Sequence, residues 1–123
     1  MRNKIKNKLL EIEGNDLLFY GMVPENIDIE EWNYIVFNQS KMKKSGSSSN
    51  DLSGYWNVVI VHEDYIPDDL VAEVINKMSE VNGLRLADGD YPYVYTQKGS
   101  TNIIVEMLVL QFTKMKKGIN LCL

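Results

Sequence analysis

Cysteine and histidine are almost missing from this chain. Its 123 residues include one cysteine, Cys122, and one histidine, His62. A lone cysteine excludes an internal disulfide and any cysteine-based zinc site, and it fits a reducing compartment. A lone histidine leaves a metal site without a second ligand of that kind. Long hydrophobic runs are missing too: nothing approaches the ~20 apolar residues needed to span a bilayer. The basic start (Arg2, Lys4, Lys6, Lys8) leads into no apolar segment, so a signal peptide is not expected and the chain is placed in the cytoplasm. An excess of positive charge is also lacking. The net charge of -4 at pH 7 argues against a dedicated nucleic-acid binder.

What is present is ordinary globular composition, 45% hydrophobic and 24% charged, in a length that suits one domain, 1–123, with a core of its own. Ile5, Leu9 and Ile12 recur at helical spacing and predict an amphipathic helix over about residues 2–13, stopped at Gly14-Asn15. Residues 15–31 are ambiguous, since Leu17 to Tyr20 suits a short strand or a packed loop. Trp32 to Gln39 reads as a strand apolar on both faces, with Trp32, Tyr34 and Val36 opposite Ile35 and Phe37. Tyr55 to Glu63 reads likewise, with Trp56, Val58, Ile60 and His62 on one face. A strand buried on both faces needs two covers. One is a helix; the other is a second helix or a partner subunit.

Pro67 suits a first helical position, Asp68 and Asp69 suit the helix dipole, and Leu70, Val71, Val74, Ile75, Met78 and Val81 form one apolar stripe ended by Gly83. Leu84 to Asp90 reads as a turn-rich connection. Tyr91 to Thr96 is a strand that Pro92 confines to an edge or a strand start. Gln97 to Ser100 is a hairpin turn, and Asn102 to Thr113 is a long apolar strand interrupted by Glu106. The predicted order is α-β-β-α-β-β: an α+β domain with a mostly antiparallel four-stranded sheet packed against helices.

Between the first two strands lies a Gly/Ser-rich loop, 40–54, longer than most hairpin loops. It is either inconsequential or a contact, and its lysines suit an acidic surface. Charge is segregated along the chain. Asp16 to Glu31 carries no base, Lys41, Lys43 and Lys44 carry no acid, and Glu63, Asp64, Asp68 and Asp69 are acidic again. Solvated turns and helix ends are the first reading of this, and electrostatic matching between copies the second.

No catalytic set emerges. His62, Glu63 and Asp64 adjoin, but alternation sends neighbours to opposite faces; Asp64 is better read as a helix-capping acceptor. Ser47, Ser48 and Ser49 lack a nucleophile-elbow context. The glycines make no phosphate-binding pattern, and the aromatics lack interleaved bases. Glu106 in an apolar strand implies either a solvated face or a Lys or Arg partner on a neighbouring subunit. No enzyme, metal or cofactor is expected.

The element order resembles the tail terminator, or tail completion, proteins of long-tailed bacteriophages, a kind of minor tail protein. The residues that carry the resemblance are Trp32 to Asn38, the Gly/Ser loop, Val58 to Pro67 before the second helix, and Lys98 to Asn102 before the last strand. It spans roughly residues 1–117, and the Val61 to Pro67 string is similar to small morphogenesis proteins of phages with Gram-positive hosts. The resemblance implies a homo-oligomeric ring, a hexamer, at the head-proximal end of the tail tube. There it would contact the tail tube protein and the head-tail connector proteins, with DNA as passive cargo through the lumen and no membrane partner. The chain would be assembled in the host cytoplasm and end in the virion. Carried onto this sequence by position, Trp32, Tyr34, Trp56 and Glu106 are subunit-interface candidates. Lys41, Lys43, Lys44, Ser47, Ser48, Ser49 and Asn50 are tube or connector contacts. Another neck or head-completion component, and a small monomeric protein-binding module, are the alternatives.

Overall fold

Apolar spacing shapes the inner layer first. The computed structural model describes residues 1–12, 17–44, 52–81 and 83–114. In chain order the elements are α1 (Arg2–Leu10), β1 (Leu18–Tyr20), β2 (Tyr34–Lys44), β3 (Leu52–Glu63), α2 (Asp68–Ser79), β4 (Leu84–Leu86), β5 (Tyr93–Gln97) and β6 (Ile104–Lys114). The α+β class stands, but the four-stranded sheet is corrected to six strands. Leu18–Tyr20 resolves as a strand, and Leu84–Leu86, read as a connection, is a second added strand.

The sheet runs β1-β2-β3-β6-β4, with β5 also pairing β6. All pairs are antiparallel except β1 with β2, which is parallel. β4 takes the last residues of β6 (Leu84↔Lys114) and β5 the first ones (Gln97↔Ile104), so two short strands share one edge. Three residues suffice for β1 and β4 because each leans on a long neighbour; both are too short for alternation to decide.

Both helices cover one face. Ile5, Leu9 and Ile12 from the N-terminal segment and Val74 and Met78 from α2 meet Ile35, Phe37, Val58, Ile60, Leu108, Leu110 and Phe112 in one core. The first helix has no acid in its first turn and no side-chain cap, so tertiary contacts hold it. Lys8 Nζ lies 2.7 Å from Glu80 Oε1 and Lys77 Nζ 3.0 Å from Glu11 Oε1, pinning α1 to the end of α2. The second helix starts after Pro67 with Asp68 and Asp69 in its first turn and no side-chain cap. Asp64 is therefore not the capping acceptor expected; it sits at φ 69, a left-handed conformation that aspartate tolerates. Gly83 at φ +82 turns the chain into β4, where a Cβ would meet Lys114 Cγ at 3.3 Å.

The loop expected over 40–54 is shorter than its composition suggested. The β2–β3 ladder continues through Lys41↔Tyr55 to Lys44↔Leu52. A bulge falls between Gln39 and Lys41. It shifts the alternation by one, so Lys41 and Lys43 register on the face opposite Ile35 and Phe37. Ser47, Ser48, Ser49, Asn50, Cys122 and the Gly14-Asn15 stop lie outside the described residues.

Candidate functional site

Alternation gives the sheet a second face, and none of the described helices lies on it. Register places Phe19, Tyr34, Val36, Val59, Val61, Val105, Met107, Val109 and Val94 there. Val36, Val61 and Val105 are buried, whereas Val109 is 45% and Val94 50% exposed. Phe19 packs edge-on to Tyr34, with centroids 6.0 Å apart, and Lys41 Nζ stands 4.9 Å above the Tyr55 ring. The face is thus an apolar band with a cationic, aromatic border toward the hairpin end.

One end of this face is closed by a polar clamp. Glu63 Oε2 accepts hydrogen bonds from the Trp32 backbone N–H at 2.7 Å and from Lys98 Nζ at 2.6 Å, and the Glu63 N–H donates to Asn33 Oδ1 at 3.0 Å. Lys98 Nζ also donates to the Glu30 carbonyl. The segment 30–33 is thereby tied to the end of β3. The Lys98 ammonium first, and the Trp32 N–H second, hold the Glu63 carboxyl below the usual carboxylate range. A depressed carboxylate stabilises the fold above its unfolded-state pKa and ceases to do so as pH falls through the folded value. Glu63→Gln is therefore expected to flatten the acid limb of a plot of melting temperature against pH. An acid limb identical to that of the parent protein would show that the clamp contributes nothing.

The four interface candidates do not form one patch. Trp32 precedes β2 and is half-buried, with its backbone in the clamp. Tyr34 is half-buried on the second face, and burial pushes its hydroxyl pKa up. Trp56 is corrected: 7% exposed, it belongs to the core under the helices and has little surface left for a partner. Glu106 is on that same inner face, 9% exposed. Its Oε1 accepts the Ile66 N–H at 2.7 Å, so neither a solvated face nor a neighbouring subunit is needed to satisfy it. Tyr95 is opposite it in register, and the Glu106 carboxylate beside its hydroxyl holds the Tyr95 pKa above its ordinary value.

Sequence reasoning missed Tyr65, Tyr93 and Lys98. The alternation of Tyr91, Tyr93 and Tyr95 was visible, but nothing in it tells that β5 would set its rings beside the start of α2.

The topology also orders charge. β2 starts, β3 ends, α2 starts and β6 starts at one end of the sheet. That end gathers Glu30, Glu31, Glu63, Asp64, Asp68 and Asp69, with Lys98 among them. The opposite end carries Lys41, Lys43, Lys44, Arg85 and Lys114. Ten residue steps of β2 separate the two ends, about 33 Å at the usual strand rise. Among the described residues no group of three or more His, Cys, Asp or Glu side chains is placed to hold a metal ion. No described helix is long and apolar enough to cross a membrane. No family model matches the chain, and no curated protein matches it.

Proposed function

We propose that this chain is a structural assembly subunit that joins copies of itself head to tail into a closed ring, in the role of a phage tail terminator. The carrying observation is the second sheet face. Both helices lie on the other side, and Val109 stands 45% exposed beside Val59 and Met107. An apolar sheet face of this kind gains by burial against another protein surface. The opposed charge at the two ends supports contact between unlike ends of two copies, the arrangement that generates rings when the rotation closes. In this reading the partners beyond the ring are the tail tube and connector proteins. DNA passes through without being read, the mature location is the virion, and the chain has no catalytic role and no cofactor.

Light scattering after size exclusion, over a concentration series, tests the reading. A discrete species of about six chains is the expected result; a monomer at every concentration favours the alternative of a small protein-binding module. Capture by tail tube rather than connector proteins would separate a terminator from another neck component. Val109→Asp sharpens the test. A carboxylate buried without a partner costs roughly 3 kcal/mol or more, so association is expected to weaken at least about a hundredfold. The isolated fold should change by less than ~1 kcal/mol, because the position is exposed in the single chain. Unchanged association by Val109→Asp would remove this face from the interface.

A further inference from the structure

Three tyrosines stand exposed around one buried carboxylate. A pocket of about 330 Å³ is lined by Tyr65, Ile66, Asp68, Tyr93, Tyr95 and Glu106. Tyr65 is 66%, Tyr95 59% and Tyr93 43% exposed, while Glu106 is 9% exposed. Large aromatic rings left in water around a pocket call for an occupant. The lining contains no cation, and its two charged members are acids. His62 is the cross-strand neighbour of Glu106, and Asp64 and Asp69 flank the site in sequence. Lys98, which follows β5, is engaged with Glu63 on the other face. Aromatic faces attract a cation through the ring quadrupole, and a buried carboxylate beside them favours a charge-assisted hydrogen bond. An alkyl stem ending in an ammonium satisfies rings and carboxylate together.

We propose that this pocket receives a lysine side chain from the β2–β3 hairpin end of a second copy of this chain. Lys41, Lys43 and Lys44 register there, at the opposite end of the same sheet. A cationic end and a matching aromatic, acidic pocket on one molecule form a heterologous contact, in which each copy both gives and receives. The assignment rests on the reading of the chain as a self-assembling subunit, and it names the contact that sets the order of the copies.

Two variants test it, with circular dichroism confirming that each folds. Tyr65→Lys puts an ammonium into the pocket at an exposed position. The triple change Lys41→Gln, Lys43→Gln, Lys44→Gln removes the donor charges without creating an acidic end that the Tyr65→Lys pocket could attract. Each alone is expected to lose self-association by more than tenfold. Mixed in equal amounts, they retain one working contact and should give a 1:1 species that grows no further. If the parent protein assembles and Tyr65→Lys assembles equally well, the pocket proposal is overturned and the ring reading survives. If the parent protein stays monomeric, the ring reading loses its support, and the pocket is tested on the monomer. A synthetic peptide spanning residues 38–54 should then shift the ring resonances of Tyr65, Tyr93 and Tyr95 saturably, while its lysine-to-glutamine counterpart should not. Equal shifts by both peptides, or none, overturn the pocket.

Discussion

Phe112→Ala is expected to lower the free energy of unfolding by about 3–5 kcal/mol, the range for removing a large aromatic from a packed core. Phe112 has no exposed surface and lies opposite Trp56 on one side and Leu86 on the other. Removing its ring opens a cavity where the long central strands meet β4. The loss is a large share of the ~5–15 kcal/mol that a domain holds in total. Val109→Ala, three residues earlier on the opposite face and 45% exposed, should cost less than ~1 kcal/mol. Urea unfolding followed by circular dichroism compares the two. Equal midpoints would mean that the inner and outer faces of β6 have been confused.

The second large effect concerns Glu106. Glu106→Ala strips the Ile66 N–H of its acceptor inside the protein, and an orphaned buried donor plus the lost charged hydrogen bond should cost roughly 2–3 kcal/mol. Glu106→Gln keeps an acceptor of similar shape, so it is expected to recover about half of that loss. Both are read as thermal unfolding with the association state measured alongside. The decisive contrast is with the interface role inferred from the sequence. If Glu106→Ala left the melting temperature unchanged and only broke association, the carboxylate would belong to a pair between subunits. A lowered melting temperature in the monomer makes it the post that fixes the turn from β3 into α2, a role that leaves its pocket side free to receive a lysine from a second copy.

Much of the fold was legible because burial writes itself into periodicity. The stripe of Val74 and Met78, the alternation of Val58 and Ile60 against Val59 and Val61, and the spacing of Ile5, Leu9 and Ile12 each announced an element that the structure contains. Strands of three residues are too short to carry a period, which is why β1 stayed undecided between strand and loop and β4 escaped. The hairpin was misjudged for a different reason. Ser40 and the lysines after it look like loop by composition, yet backbone pairing with β3 is indifferent to side-chain polarity when the strand lies at a sheet edge. The bulge then reversed which face those lysines serve, and no pattern in the sequence marks a one-residue slip. The site was less legible than the fold. Glu106 stood out as a charge in an apolar run, but its partner, a backbone N–H forty residues away in sequence, has no side-chain signature.

The shortness of β1 has a consequence for the single chain. β1 pairs only with residues 35–37 of β2. The Gly21 N–H bonds the Phe37 carbonyl, and beyond it the outer margin of β2 has no strand beside it among the described residues. Such a margin offers a row of amide and carbonyl groups to any extended chain that meets it, which is how sheets grow into aggregates. The bulge after Gln39 breaks the regular margin, and Lys41 places a charge beside it, two devices that discourage edge-to-edge pairing. A sheet that is to stay finite must stop growing at that side, and here charge and a single extra residue supply the stop.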